Sequence, residues 1–276
     1  MMTMQRTTMT PALQDEVNRW FQDDTAQAFW DQHRALPYRE LLSDTIGWCQ
    51  PGKGECWLDL GCGGGHLTAN LWQASKGAVK QIEAADCAAI NAEAIKKLST
   101  RMQPSPAQDQ ICFSTVDFSK GLPQFKTEAY DGIVSGLAIS YAESFDLQSQ
   151  KFTDTAYTKL YHEMYRVLRP GGRLVFSVNV PNPDFWKIVW KSMGKGLKLG
   201  KPFRTIKNVL NMQKHGNWLK REAKRGRFHF VPLAGILQRL QQAGFVRWES
   251  KLSYADQAYV VRAWKPTKDV WTTNVA

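Results

Sequence analysis

Regular alternation of strand and helix patterns constrains the fold of this chain more than any other feature. Apolar runs such as CWLDLG (56–61) and GRLVFSVNV (172–180) are typical of buried strands, and HLTANLWQAS (66–75) has helical spacing. The alternation continues through the first 180 residues, which predicts a parallel sheet with right-handed crossovers and helices on both faces. The C-terminal piece RWESKLSYADQAYVVRAWKP (247–266) has the pattern of two antiparallel strands.

Length and composition favour one α/β domain over residues 1–276. Helical spacing over 11–48 predicts an N-terminal helical cap, and a basic stretch over 184–229 predicts an insert or lid. The chain has no apolar run of membrane-spanning length and no signal-peptide core, so we expect a cytoplasmic protein that can contact a membrane peripherally. The five cysteines form no C-x-x-C pair, so we expect reduced thiols and no bound metal.

The turn LGCGGGH (60–66) follows the first predicted strand and is rich in glycine. Gly61 and Gly63 fit the first two positions of the dinucleotide fingerprint G-x-G-x-x-G, but His66 occupies the third. The G-K-[ST] sequence of a phosphate-binding P-loop is absent as well. The turn therefore predicts a ligand that is not held by its phosphates.

Acidic residues stand near the ends of the first three predicted strands, at Asp59, Asp86 and Asp117. Because ligands of such sheets bind at the carboxyl ends of the strands, these carboxylates should line the ligand site. Carboxylates are poor partners for pyrophosphate and good partners for a cation with hydroxyl and amino donors. Taken alone, each acid also fits an ordinary strand-end turn.

S-adenosylmethionine is a ligand of this kind, since it carries a sulfonium, an ammonium, two ribose hydroxyls and an adenine amino group. Gly61, Gly63 and Gly65 would let the backbone approach it closely. Asp86 would accept both ribose hydroxyls, and Asp117 would accept the adenine amino group with Phe118 against the ring.

Five stretches of the chain resemble the successive motifs of class I S-adenosylmethionine-dependent methyltransferases: WLDLGCGGG, AADCAAI, STVDFSKGLP, YDGIVSGLAISY and RVLRPGGRLVFSV. The resemblance covers residues 40–180 and 228–265 and is nearest to the bacterial small-molecule and lipid-quinone type. It implies a Rossmann-like, doubly wound, seven-stranded sheet, mostly parallel with an antiparallel last strand, and places Asp59 and the glycine loop by the methionine part. One departure is Ala84-Ala85 where the family has a glycine, and Glu83 is a second candidate for the ribose.

Methyl transfer from a sulfonium needs alignment of donor and acceptor, and it needs a base only if the acceptor must lose a proton. Tyr141 follows the fourth strand and is predicted to orient an acceptor hydroxyl, with a packing aromatic as the alternative. His229 is a candidate general base, with a structural histidine as the alternative. Other polar residues near the site are Asn179, Asn182, Asp184 and Tyr254, while His66 and His162 are expected to be structural.

Positive charge is concentrated in one segment, because residues 187–227 carry 13 Lys/Arg and one acid whereas the rest of the chain has a net charge of −1. Lys187, Lys191, Lys195 and Lys198 recur at helical spacing beside an apolar stripe that includes Trp186 and Trp190. The stripe fits a lid packed on the sheet, a peripheral contact with an anionic membrane, or a nucleic-acid contact.

These observations favour an enzyme that methylates a small, hydrophobic acceptor. An RNA or nucleic-acid methyltransferase that uses the basic segment for phosphate is the alternative. It is disfavoured because the fourth strand lacks the [DNS]-P-P-[YFW] motif and the chain has no Pro-Cys dipeptide. A third, weaker reading is a non-enzymatic module that binds the nucleotide cofactor and regulates a partner.

Overall fold

Nine strands occur in the computed structural model, which describes residues 19–30, 33, 35–196 and 216–268. Seven of them form the main sheet and two form a separate hairpin. They are β1 (Cys56–Leu60), β2 (Gln81–Asp86), β3 (Ile111–Thr115), β4 (Tyr130–Gly136), β5 (Ser144–Asp146), β6 (Lys151–Thr153), β7 (Leu168–Asn179), β8 (Arg247–Ser253) and β9 (Ala258–Trp264).

The main sheet has the strand order β3-β2-β1-β4-β7-β9-β8. Strands β1 to β4 and β7 are parallel, and β9 runs antiparallel between β7 and β8. The predicted seven-stranded, mostly parallel sheet with an antiparallel last strand is therefore confirmed. The strand order reverses between β1 and β4, where a crevice for a ligand is expected at the carboxyl ends.

Helices cover both faces of the sheet, as the alternation predicted. On one face Leu160 and Ile236 pack with Phe176, and on the other Leu41 and Trp72 pack in the cluster that contains Val175. The helices are α1 (Asp23–Trp30), α2 (Leu36–Cys49), α3 (His66–Ala74), α4 (Asn91–Ser99), α5 (Thr155–Val167), α6 (Phe185–Gly196), α7 (216–224) and α8 (Leu233–Ala243).

The N-terminal helical cap predicted over 11–48 corresponds to α1 and α2, while its first part, 11–18, lies outside the described residues. Helix α2 begins with Pro37 in its first turn, where the missing N–H of proline costs no hydrogen bond. It ends at Cys49, and Gln50 then adopts a left-handed conformation with φ of 47°. The helix packs on α3 and on the sheet, and so forms part of the core.

Helix α6 begins the basic segment and divides its apolar residues between two faces. Ile188 and Val189 are buried, whereas Trp186 and Trp190 are 53% and 68% exposed. This differs from the expected single stripe packed on the sheet, because the tryptophans lie on the outer face of the helix. Lys198 and the rest of 197–215 lie outside the described residues. None of the described helices is both long and apolar enough to cross a bilayer.

Candidate functional site

The glycine turn between β1 and α3 can be built only with glycine at two positions. Gly61 has a φ of +75°, and a Cβ there would lie 2.2 Å from the Cβ of Ala138. Gly65 has a φ of +80° and directly precedes α3, and a Cβ there would lie 2.5 Å from Cδ1 of Ile95. Gly63, with a φ of +50°, has no atom within 4 Å of its Cβ position and is open to a ligand.

Asp59 lies in β1 with its carboxyl group fully buried. One oxygen, Oδ2, accepts a hydrogen bond of 2.6 Å from the Thr68 hydroxyl, and Oδ1 has no partner among the described residues. Burial raises the pKa of Asp59 to about 7; the Thr68 bond opposes this rise and the negative charge of Asp86 adds to it. A buried acceptor with a spare oxygen suits a cationic or N–H-bearing ligand group.

Asp86 ends β2 and contacts the glycine turn directly. Its Oδ2 accepts from the backbone N–H of Gly63 at 2.9 Å, and its Oδ1 accepts from the N–H of Ala88 at 3.1 Å. Burial raises the pKa of Asp86, and these hydrogen bonds oppose the rise. Glu83, the other candidate, accepts instead from the hydroxyl of Ser114 on β3, so Asp86 is the carboxylate at the turn.

Asp117 follows β3 and caps a short helical turn. Its Oδ1 accepts from the N–H of Ser119 at 3.1 Å, and its Oδ2 lies 3.2 Å from Nζ of Lys120. The adjacent Phe118 has its ring edge 3.6 Å from the position that a Cβ of Gly61 would take. Burial raises the pKa of Cys87, and the charges of Asp86 and Asp117 both add to the rise, so both carboxylates lie near this thiol.

Helix α1 covers the glycine turn, a feature that the sequence prediction missed. The Trp30 indole lies 3.2 Å from the Cβ position of Gly64, and its Nε1 donates to Oδ1 of Asn91 at 2.7 Å. The Trp30 carbonyl contacts Nε2 of His66 at 3.1 Å, so that histidine binds backbone as expected. The only sequence signal for this contact was the helical cap itself.

Polar side chains from separate elements meet beside Asp59 on the other side of the crevice. Nδ2 of Asn179, at the end of β7, donates to the Tyr141 hydroxyl at 3.4 Å, while its buried Oδ1 has no partner among the described residues. Tyr254 follows β8, and its ring contacts Tyr38 of α2 edge-on at 6.2 Å. Sequence reasoning noted Asn179 and Tyr254 and missed Tyr38.

The tyrosine hydroxyls at this point stay protonated in the physiological range. Burial raises the pKa of Tyr38, and the charge of Asp59 adds to the rise. Burial also raises the pKa values of Tyr141 and Tyr254, with Tyr38 contributing to both. These groups can therefore donate or accept hydrogen bonds without acting as general bases.

An aromatic wall encloses Tyr141. The Trp20 ring is stacked on the Tyr141 ring with 4.7 Å between the ring centroids. The rings of Phe228 and Phe230 lie edge-on to it, with centroids 5.0 and 6.2 Å away. Trp218 of α7 completes the wall at 5.4 Å from Trp20. The polar groups of Asn179 and Tyr141 are thus bordered by an apolar surface.

His229 occupies a structural position between Phe228 and Phe230 of this wall, and its backbone N–H donates to the carbonyl of Ser140 at 2.9 Å. Its Nε2 is 3.0 Å from the carbonyl oxygen of Ala142, and its ring is stacked on Tyr157 at 4.7 Å. Burial lowers the pKa of His229 to about 4, so the ring is neutral at pH 7 and Nε2–H donates to the carbonyl. The geometry therefore favours the structural alternative for this residue over the general base.

Two further observations concern metal ions and a groove beside α4. No group of three or more His, Cys, Asp or Glu among the described residues could hold a metal ion. A groove of about 570 Å³ lies between α4 and β3, but its lining, which includes Lys96, Gln108 and Phe113, contains no carboxylate. The carboxyl ends of β1, β2 and β3 are the better place for a cationic ligand.

Comparison with known proteins identifies a family. A family model for a methyltransferase domain matches residues 29–250, which is more than half of the chain. No curated protein matches the sequence.

Solved structures share the fold at low sequence identity. A protein of Bordetella parapertussis is 19% identical with a TM-score of 0.58, covering 94% of this chain and 74% of that one. An S-adenosylmethionine-dependent methyltransferase from Thermotoga maritima is 13% identical with a TM-score of 0.53, covering 91% and 99%. The N-methyltransferase NodS from Bradyrhizobium japonicum is 16% identical with a TM-score of 0.51, covering 83% and 97%.

Proposed function

Because the chain belongs to the methyltransferase-domain family, we propose that it transfers a methyl group from S-adenosylmethionine to a small, hydrophobic acceptor. That it is an S-adenosylmethionine-dependent methyltransferase follows from the family; the acceptor class and the residue roles are our proposal. The observation that carries it is the set of carboxylates around an open glycine turn, with Asp59 buried in β1, Asp86 half-buried at the end of β2 and Asp117 half-buried just after β3.

The cofactor half of the site is formed by β1, β2 and β3. Asp86 would accept the ribose hydroxyls, and Asp117 with Phe118 would hold the adenine. Asp59, Gly61, Gly63 and Gly65 would lie by the methionine part. The spare Oδ1 of Asp59 and the open space at Gly63 both fit a ligand that brings an ammonium and hydroxyl donors.

When bound, S-adenosylmethionine would supply a sulfonium-activated methyl group for in-line transfer to a nucleophilic acceptor atom, with S-adenosylhomocysteine as the leaving group. The contribution of the chain is to bind, orient and exclude water, and orientation alone can supply about 7–11 kcal/mol of the barrier. Tyr141 and Asn179 would orient a polar group of the acceptor, and the wall of Trp20, Phe228 and Trp218 would bind its apolar part. No ionisable base is required for an acceptor that already presents a lone pair.

Calorimetry tests the cofactor half. We expect S-adenosylmethionine and S-adenosylhomocysteine to bind and NAD not to bind. Asp86→Ala should weaken binding by about 1–3 kcal/mol, the scale of lost hydrogen bonds to a charged group, whereas Asp109→Ala, an exposed acid in a loop, should leave it unchanged. Binding of NAD without binding of the methyl donor would contradict the assignment.

Labelled cofactor tests the acceptor half. The protein is incubated with methyl-labelled S-adenosylmethionine and separate lipid, quinone, RNA and small-metabolite fractions. We expect label in a lipophilic small molecule. Label in RNA, with an affinity that falls steeply as salt rises, would favour the nucleic-acid alternative instead.

A further inference from the structure

The outer face of α6 carries exposed indole rings. Trp190 is 68% exposed and Trp186 is 53% exposed, while the inner face of the same helix buries Ile188 and Val189. The two tryptophans are four residues apart, so their side chains lie next to each other on one helical face. Helix α6 packs on the core through its inner face. The two tryptophans therefore do not hold the helix on the protein.

Exposed basic side chains occur on α6 and on the adjoining α7. Lys187 lies on the outer side of α6 and has no ion pair among the described residues. Lys191 pairs with Glu40 of α2 at 2.6 Å and remains about half exposed. On α7, Arg221 and Arg225 are 65% and 54% exposed, although each lies 3.5 Å from Glu222.

The two helices are in contact through Phe185. A Cβ on Gly216, in the first turn of α7, would lie 2.6 Å from Cδ2 of Phe185, and Nζ of Lys220 lies 5.7 Å from the centre of that ring. The basic groups of α7 are therefore attached to the same structural unit as the tryptophans of α6. We give the name indole-basic face to the exposed residues Trp186, Lys187 and Trp190 of α6 together with the exposed basic residues Arg221 and Lys224 of the adjoining α7.

We propose that the indole-basic face docks on the surface of an anionic lipid bilayer, with Trp186 and Trp190 at the level of the headgroups. Indole rings favour that depth because they have an apolar body and a polar N–H. The charge of the face is complementary to anionic lipid, and residues 187–227 as a whole carry a net charge of +12. The attachment is peripheral, since no described helix can span a bilayer.

Docking in this orientation would bring the aromatic wall close to the lipid. Phe185 at the start of α6 packs in the same cluster as Trp218, Phe228 and Tyr141. A lipophilic acceptor dissolved in the bilayer would then reach the crevice without crossing water. This consequence rests on the proposed function, but the docking itself does not.

Co-sedimentation with lipid vesicles tests the proposal. Full-length protein is mixed at low salt with vesicles of phosphatidylglycerol and phosphatidylcholine in equal parts, and with vesicles of phosphatidylcholine alone. We expect binding to the anionic vesicles, at least tenfold weaker binding to the neutral ones, and loss of binding as salt rises. Wild-type protein that stays in the supernatant with anionic vesicles at low salt would overturn the proposal.

Variants locate the contact. W186S/W190S should lower the partition coefficient on anionic vesicles by at least tenfold. K187Q/K224Q should lower it by up to about 25-fold, since each basic residue at such a surface contributes roughly a fivefold factor. The matched controls are L147S/V246S, which replaces two exposed apolar residues elsewhere, and K96Q/K97Q, which removes the same charge from α4. Equal losses in the controls and in the test variants would also overturn the proposal.

A parallel measurement separates this proposal from the proposed function. Each variant is titrated with S-adenosylhomocysteine, and unchanged affinity shows that the cofactor site is folded. Single-stranded RNA of random sequence is titrated in the same buffer. Binding of RNA that depends on Trp186 and Lys187, without binding to vesicles, would assign the indole-basic face to nucleic acid. That result would overturn the proposal that the face docks on a membrane.

Discussion

At the scale of single residues, the buried carboxyl group of Asp59 should make cofactor binding depend on pH if the proposed function is right. Its pKa is about 7 in the folded protein and near 3.9 in an unfolded chain. The folded state therefore favours the protonated form, so the stabilisation from this group is complete below about pH 4 and decreases as pH rises toward 7. A cationic ligand favours the ionised form and opposes this effect.

We expect the affinity for S-adenosylhomocysteine to fall as pH decreases below about 7, by up to about tenfold per unit. Asp59→Asn should remove this dependence, weaken binding at pH 8 and raise the melting temperature of the free protein at that pH. Calorimetry and thermal unfolding between pH 5.5 and 8.5 measure both effects, with the exposed Glu93→Gln as the control. An identical pH profile in wild type and Asp59→Asn would show that Asp59 does not contact the charged part of the ligand.

The hydroxyl of Tyr141 is the matching test on the acceptor side. Tyr141→Phe removes the group to which Asn179 donates, so we expect kcat/KM for the acceptor to fall about tenfold, the effect of one lost hydrogen bond. The affinity for the cofactor should not change. Tyr165→Phe, which removes a hydroxyl on α5 outside the crevice, should leave both unchanged. Wild-type kinetics in Tyr141→Phe would show that the hydroxyl does not orient the acceptor and that Tyr141 is a packing aromatic.

At the scale of elements, α1 covers the glycine turn to which we assign the cofactor. Trp30→Ala removes the ring over Gly64 and the hydrogen bond to Asn91, so we expect faster dissociation of S-adenosylhomocysteine, by about tenfold. Trp190→Ala makes the same chemical change on an exposed surface and should not alter that rate. Stopped-flow displacement measures the rate, and equal rates in all three proteins would mean that α1 does not retain the cofactor.

The sheet could be predicted from sequence because the apolar residues of each buried strand form a local run that is visible in the sequence. The apolar residues of β1, β4 and β7 are flanked by turn residues and by helices of regular spacing, and these local patterns are enough to define an alternating fold. The hairpin of β5 and β6 was missed because its three-residue strands are too short for periodicity. The positions of the carboxylates predicted for the site, at or beside the ends of β1, β2 and β3, could be located from the sequence because they follow from the strand ends.

Other features could not be predicted, because they depend on contacts between distant parts of the chain that sequence periodicity does not reveal. Helix α6 has two apolar stripes, and spacing alone does not tell whether Ile188 or Trp190 faces the core. The contact of Trp30 with Asn91 joins residues 61 positions apart. His229 was chosen for its ordinary pKa, which burial lowers to about 4.

At the scale of the whole molecule, the two halves of the sheet carry different side chains of the candidate site. The carboxylates come from β1, β2 and the end of β3, whereas Tyr141, Asn179 and Tyr254 follow or end β4, β7 and β8. The halves meet where the strand order reverses between β1 and β4. Under the proposed function, cofactor and acceptor would therefore approach the same crevice from opposite sides, which suits a reaction that requires three atoms in line.

The position of β9 between β7 and β8 has a consequence for synthesis of the chain on the ribosome. Strand β7 is complete at Asn179, but its antiparallel neighbour is formed by Ala258–Trp264. At about 5–20 residues per second, the edge of β7 stays without its partner for roughly ten seconds during translation. An unpaired apolar edge can pair with other nascent chains, so this intermediate is open to aggregation, and slow codons between β7 and β9 would lengthen its exposure.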